Sequence, residues 1–291
     1  MTLTVSPESA ARVACRMSRL ADSSLTQLHH HATSVFLLAA EDVVVRVSPI
    51  SLQRRLETAV SLTRWLVAND FPATEPVDVP QPVAYGPYVV TFWRHYPQPE
   101  HRAPSAGHLG DLLRALHNLP SPPLALPKYR PLTSFKNSVE HSTYLAPNQR
   151  EWLTARRKEL LDAYGKLDFP LGHGHIHGDA YPGNTLWDIQ GVRLGDWDEA
   201  AFGPREIDLA NTFQGIRFGR TTGELDDFSE RYGHDIRQWS GLSTLCEIRD
   251  LHTLGSFIRR ADQGDTAAAQ QLSYRIETLR NMDSQAQWCA A

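Results

Sequence analysis

The chain has 291 residues, 41% hydrophobic and 21% charged, with 18 glycines and 19 prolines; this is ordinary globular composition and sets aside disordered, collagen-like and low-complexity classes. Its 33 acidic and 29 basic residues leave a formal charge of −4, and no basic block stands ready to neutralise a row of phosphates, which argues against a nucleic-acid partner. The 3 cysteines, Cys15, Cys246 and Cys289, are odd in number, far apart and without CxxC spacing, which argues against a disulfide framework or a zinc cage. The longest purely apolar run, Val35 to Ala40, falls far short of the roughly 18 to 20 residues that span a bilayer. Met1 to Ser24 lacks a signal-peptide core, so the expected location is the cytoplasm, with no membrane partner.

In chain order, Pro7 to Leu20 places Ala10, Val13, Met17 and Leu20 at helical spacing, which predicts a short amphipathic helix. Ser34 to Leu38 and Asp42 to Val47 are β-prone runs joined by a short turn, a hairpin pattern. Ser51 to Asn69 predicts a helix that stops ahead of Pro72. Pro72, Pro76, Pro80 and Pro82 make the following stretch an extended connector, and Tyr88 to Trp93 is a strongly β-prone strand. After Arg94 the composition shifts to a linker-like stretch with Pro97, Pro99 and Pro104. A boundary near residue 94 follows, dividing 1–94 from 95–291. Helical patterns then dominate: Leu109 to Leu119, Gln149 to Tyr164, Ile207 to Arg217, Leu225 to Tyr232, Leu242 to Asp262 and Thr266 to Met282. Gly174 to Asp198 reads as a strand-loop-strand region, and no internal repeat is visible.

That region holds the chemistry. His177-Gly178-Asp179 is followed by Asn184, and Leu194-Gly195-Asp196-Trp197-Asp198 comes after a further strand. Such spacing suits phosphoryl transfer, in which one carboxylate orients a hydroxyl nucleophile while an amide and a second carboxylate hold magnesium on nucleotide phosphates. Pro182 and Gly183 allow the loop between Asp179 and Asn184 to turn back on itself, so that both side chains face one cleft.

His177 through Asn184, Gly195 through Glu199, and Gly203-Pro204-Arg205-Glu206-Ile207-Asp208-Leu209-Ala210 together resemble the aminoglycoside phosphotransferase and choline kinase-like family. The resemblance implies an α+β, bilobal protein kinase-like fold with a small β-rich N-lobe and a larger, mostly helical C-lobe. It implies Asp179 as the catalytic base or hydroxyl-orienting carboxylate, Asn184 and Asp196 as magnesium ligands, and Asp208 as a carboxylate bracing the loop. In this fold a basic residue on the third strand grips the α- and β-phosphates and pairs with a glutamate on the next helix; Arg46 stands at the usual lysine position, with Glu57 in the following helix. Arg46 also lies on the strand face opposite Val43, Val45 and Val47.

The phosphate-covering loop, His29 to Val35, contains no glycine, which leaves Thr33 and Ser34 as the small hydroxyl-bearing residues for close approach. Phe92 or Trp93, at the end of the strand leaving the small lobe, would stack on the base. Gly195 replaces the usual aliphatic residue ahead of Asp196 and is expected to loosen the strand there. The implied cofactors are ATP, with GTP as the other candidate nucleotide, and Mg2+.

The implied reaction is phosphorylation of a hydroxyl on a small-molecule antibiotic, aminoglycoside-like or another natural product; a metabolic sugar or amino-alcohol kinase is the alternative. From Glu199 to Asp250 there are ten acidic residues against six arginines, and Glu199, Asp226 and Asp227 are the candidates for binding a cationic acceptor. A distant alternative is a metal-dependent hydrolase using His173, His175 and His177, which alternate at metal-ligand spacing on a strand. Oligomeric state is not legible in the sequence.

Overall fold

The computed structural model describes residues 5–30, 33–100 and 103–289. In chain order its elements are α1 (Pro7–Met17), β1 (Leu25–His30), β2 (Ser34–Leu38), β3 (Val43–Pro49), α2 (Gln53–Ala68), β4 (Val83–Tyr85), β5 (Tyr88–Arg94), α3 (Ala106–Asn118), α4 (Thr133–His141) and α5 (Pro147–Tyr164). These are followed by β6 (His173–Ile176), β7 (Thr185–Asp188), β8 (Gly191–Leu194), β9 (Ala201–Pro204), α6 (Glu206–Gln214), α7 (Thr222–Tyr232), α8 (Leu242–Asp262) and α9 (Thr266–Arg280). The N-terminal part is thus a small antiparallel sheet and the larger C-terminal part is helical, the expected α+β class. Strand β1 and helix α4 carry no clear periodic signal and were not expected.

Contacts gather the chain into two units. The first comprises Met1–Pro104, Asn118–Pro127 and His177–Ala201; the second comprises Ser105–His117, Lys128–Ile176 and Phe202–Ala291. Where composition suggests one boundary near residue 94, contacts draw two later segments into the first unit.

In the first unit the sheet runs β1-β2-β3-β5-β4, all neighbours antiparallel. Phe36, Val45 and Phe92 stand opposite one another across β2, β3 and β5, so their side chains share a face. Helix α1 covers that face, burying Ala10, Ala11, Ala14 and Cys15 against it. Ser6 caps the helix by accepting from the Ser9 amide at 3.1 Å, and Pro7 occupies its first turn. The buried stripe is therefore alanine and cysteine, whereas Met17 is 62% exposed. Small side chains let helix and sheet approach closely, which an apolar-periodicity count favouring Val13 and Met17 overlooks. The opposite face of the sheet carries Arg46, paired in register with Val35 on β2 and Thr91 on β5.

In the second unit every residue of α6 is buried, including Glu206, Asp208, Asn211, Thr212 and Gln214. Polar groups placed so deep need partners. Glu206 accepts from the Leu171 amide at 2.6 Å, and Asp208 lies 3.2 Å from His117 Nε2, whose Nδ1 is 2.9 Å from the Tyr232 hydroxyl. Arg205 donates to the Leu171 carbonyl at 2.7 Å. A Cβ at Gly174 would come within 3.0 Å of the Arg205 guanidinium, so the glycine lets the arginine lie flat against β6. The string from Gly203 to Ala210 is in this way a buried polar brace.

Candidate active site

The loop after β6 turns at Gly178, where φ is +82°, and a Cβ there would lie 2.2 Å from the main-chain oxygen of Glu199. Glycine is required twice over, by conformation and by space. His177, on one side of it, is wholly buried. Its Nε2 lies 2.8 Å from the Gly195 carbonyl and its ring centre 4.6 Å from that of Trp197. The Asp179 amide faces His177 Nδ1 at 3.3 Å, a pattern that fits Nε2 as donor and Nδ1 as acceptor.

Beyond Asp179 the chain forms a 3-10 turn over Pro182–Asn184, tied by the Thr185 hydroxyl to the Pro182 carbonyl at 2.6 Å. The turn brings Asn184 back onto the loop: its Nδ2 donates to the Asp179 main-chain oxygen at 3.0 Å, and its own carbonyl accepts from the Gly195 amide at 2.8 Å. Gly195 does not loosen this region. It is buried, and a Cβ would come within 3.0 Å of the Thr74 methyl, while the Thr74 amide bonds Leu194 O at 2.9 Å. The expected slack is replaced by a close backbone approach.

Asp196 adopts the left-handed conformation, φ 60° and ψ 60°, which aspartate tolerates better than most residues. The left-handed step ends β8's extension and starts the 3-10 turn Trp197–Glu199. Trp197 anchors that turn by donating from Nε1 to Leu194 O at 2.9 Å and packing edge-on against Phe71. Asp179, Asn184 and Asp196 are therefore knit together by the Asn184 side-chain bond to the Asp179 main-chain oxygen, by the Gly195–Asn184 main-chain bond and by the His177–Trp197 contact.

Arg46 reaches this turn from β3. Its Nη1 is 3.2 Å from Asp196 Oδ1, and its Nη2 is 3.0 Å from Asp198 Oδ2. Glu57 does not take part: it is exposed and accepts from Gln53 at 2.9 Å. Helix α2 instead presents Arg55, which ion-pairs with Glu199. Relative to the expected strand cation and helix carboxylate, the carboxylate partner of Arg46 comes from the segment after Asp196. Burial pushes the Asp198 carboxyl above its ordinary range against the pull of Arg46. Burial likewise raises that of Glu199, with Arg55 opposing and the charge of Asp179 reinforcing the rise.

The remaining sequence candidates fall in several places. Ser34 is buried and pairs in register with Val47, on the face opposite Arg46, while Thr33 lies half-buried just before β2. His31 and Ala32 of the same loop lie outside the described residues. Phe92 is fully buried in the core under α1, so its ring does not stack on a base. Trp93 shares the face of Arg46, two residues beyond its partner Thr91, and donates from Nε1 to the Thr91 hydroxyl at 2.9 Å.

Asp226 and Asp227 on α7 are ion-paired, with Arg237 at 2.7 Å and Arg231 at 2.9 Å. Glu224 closes a capping box with Thr221. The acidic surplus is spent on structure there, whereas Glu199 pairs with Arg55 and has its carboxyl raised in part by the charge of Asp179. His175 Nε2 bonds Leu116 O at 2.8 Å, His177 is engaged as above, and His173 is exposed beside Phe169 and Phe202. Among the described residues no three His, Cys, Asp or Glu side chains form a metal-holding group. Asn184 Oδ1 and the Asp196 carboxylate are oxygen ligands of the kind magnesium accepts alongside nucleotide phosphates. Sequence reasoning missed Arg55 and the anchoring role of Trp197; the Asp-Trp-Asp-Glu string was the available signal for both.

The geometry agrees with what is similar to this chain. The model of the phosphotransferase enzyme family (APH) matches residues 24–243. No curated protein sequence matches the chain. Among solved structures it is similar to the amicoumacin kinase hAmiN, in complex with AMP-PNP, Ca2+ and Ami, at 13% identity and TM-score 0.74 over 99% of this chain and 98% of that one. It is also similar to a choline/ethanolamine kinase family protein from Mesorhizobium loti, at 14% identity and TM-score 0.65 over 95% of both chains. Aminoglycoside phosphotransferase APH(3'')-Id from Streptomyces rimosus is similar at 19% identity and TM-score 0.63, over 83% of this chain and 97% of that one. With a family model spanning most of its length, a protein kinase-like fold and the Asp179–Asn184–Asp196 arrangement in place, the chain belongs to the phosphotransferase enzyme family.

Proposed function

We propose that the protein transfers the γ-phosphoryl group of ATP to a hydroxyl of a small natural-product antibiotic. The observation that carries this reading is the bond from Asn184 Nδ2 to the Asp179 main-chain oxygen, joined through Gly195 to Asp196. It holds the Asp179 main chain beside Asn184 and Asp196, which supports reading Asp179 as the hydroxyl-orienting carboxylate and the other two as oxygen ligands in phosphoryl transfer.

Asp179 accepts a hydrogen bond from the acceptor hydroxyl and takes its proton as the oxygen attacks the γ-phosphorus. The new O–P bond forms, the bond to the β-bridging oxygen breaks, and ADP leaves. Arg46, forked toward Asp196 and Asp198, supplies a guanidinium able to grip two phosphate oxygens. Asn184 and Asp196 would hold Mg2+, which when bound neutralises charge on the phosphates. His177 and Trp197 hold the two loops in place.

The test is purified protein with ATP or GTP and magnesium, screened against hydroxylated antibiotics, sugars and amino alcohols for ADP or GDP release. Acceptor-dependent release with an antibiotic supports the reading. Release only with a sugar or amino alcohol would favour the metabolic alternative, and no nucleotide turnover with any acceptor would count against both.

A further inference from the structure

One guanidinium spans both carboxylates of the turn that follows β8. Arg46 Nη1 is shared between Asp196 Oδ1 at 3.2 Å and Asp198 Oδ1 at 3.4 Å, while Nη2 reaches Asp198 Oδ2 at 3.0 Å. The side chains of Arg46 and Asp198 are each 18% exposed, and that of Asp196 is 46% exposed. The fork on Asp198 thus fixes a mostly buried cation, and that cation lies against one oxygen of a carboxylate open to solvent. All three residues belong to the first unit.

A divalent cation on Asp196 meets this guanidinium directly. Oxygen ligands hold such an ion through their lone pairs and their negative charge, and Nη1 already draws on Oδ1. The two oxygens of one carboxylate are so close together that an ion on Oδ2 still faces the guanidinium, in a setting where burial limits screening. Asn184 adds an amide oxygen but no charge to offset that repulsion. Arg55 carries the same charge as Arg46 and spends it on Glu199. A nucleotide alters the balance, because its phosphates bring the negative charge that a guanidinium grips, and the pull of Arg46 then falls on the phosphates as well as on Asp196.

We infer that Arg46 is a built-in counterion that competes with the divalent cation for Asp196, so that the metal enters with the nucleotide and not ahead of it. The competition stands on the contacts of Arg46; the order of entry rests on the phosphotransferase reading.

Manganese(II) is the probe. The full-length protein is titrated with it in the absence of nucleotide, and the free ion is counted by its electron paramagnetic resonance signal. Arg46→Gln should bind Mn2+ about tenfold or more tighter than wild type, and the double variant Arg46→Gln/Asp196→Asn should lose that gain. Arg55→Gln, which removes the same charge from Glu199, should gain less than about threefold. If the thermal unfolding midpoint shows that Arg46→Gln does not fold, Arg46→Lys takes its place: an ammonium cannot span both carboxylates at once, and affinity should still rise severalfold. An affinity unchanged from wild type in the variant that folds, an equal gain in Arg55→Gln, or a gain that survives Asp196→Asn overturns the competition. Titration of the wild type with ATP in EDTA and in magnesium reads the order. Binding in EDTA is expected, and binding that appears only with the metal overturns the order of entry. Absence of nucleotide binding under both conditions defeats the phosphotransferase reading, while the competition for Asp196 is scored on the manganese titration alone.

Discussion

Arg46 and Asp198, 152 residues apart in sequence, meet as a two-pronged pair at 3.0 and 3.4 Å. The planar guanidinium matches both carboxylate oxygens, which a lysine ammonium cannot do. Asp198 thus occupies the place that a helix glutamate was expected to fill, and it leaves Arg46 within reach of Asp196. Arg46→Ala should raise the KM for ATP by about tenfold or more, because the proposed phosphate grip is lost and a mostly buried carboxylate loses its counterion. Arg46→Lys should recover part of that loss. Asp198→Asn should raise the same KM, whereas Glu57→Gln should leave it unchanged. Nucleotide titrations and steady-state kinetics on the four variants decide it, and a defect in Glu57→Gln without one in Asp198→Asn would restore the helix pairing.

On the proposed roles, substitutions at Asp179 and Asp196 should have separable effects. Asp179→Asn should lower kcat by about a hundredfold or more with nucleotide affinity retained. Asp196→Ala should abolish the strengthening of nucleotide binding by magnesium while leaving binding in EDTA near the wild-type value. Calorimetric titration with and without the metal distinguishes the two.

Gly178 offers a steric test. In Gly178→Ala a Cβ would be placed 2.2 Å from Glu199 O on a backbone with φ +82°. The left-handed strain and the clash together should cost about 3 kcal/mol. Thermal unfolding should show a midpoint lowered by several degrees, with kcat reduced in the surviving folded enzyme.

His175 gives a pH dependence. Burial holds its pKa below the ordinary 6.5, with the Leu116 carbonyl bond only partly offsetting it. The unfolded chain therefore takes up a proton at a pH where the folded one does not. Stability conferred by the neutral ring is complete above about pH 6.5 and declines as pH falls from there toward the depressed folded value. His175→Gln, which keeps an amide donor for Leu116 O, should flatten the fall in denaturation midpoint between pH 7 and pH 5; an unchanged slope would assign it to other groups.

Much of the fold was legible because long apolar runs carry their period in the residues themselves. Helix α8 occupies Leu242–Asp262 as read, and the β2–β3 hairpin pairs Ser34 with Val47 and Leu38 with Val43. Strand β1 was missed because Leu25–His30 has only two apolar residues in six and its pairing is bulged between Gln27 and His29; pairing at the sheet edge, not composition, makes it a strand. The loop bearing Asp179, Asn184 and Asp196 was legible because a turn needs particular residues in particular order. The partner of Arg46 was not. Glu57 and Asp198 are both acidic at plausible distances along the chain, and only the orientation of α2, which turns Arg55 toward Glu199, chooses between them. Phe92 and Trp93 likewise look alike in sequence, and the strand pleat alone sends one into the core.

The first unit is completed late, since its third segment is His177–Ala201. A nascent chain emerging from the ribosome can close the five-stranded sheet under α1 early, but Arg46 waits 152 residues for Asp198, about eight to thirty seconds at ordinary translation rates. During that interval Phe71 lacks Trp197, which later packs against it, and the β3 guanidinium has neither carboxylate. A fragment ending at the composition shift after Arg94 would carry the residues of all five strands and none of Asp179, Asn184, Asp196 or Asp198. The halves of this enzyme that look separable on paper are bound together by the order of synthesis.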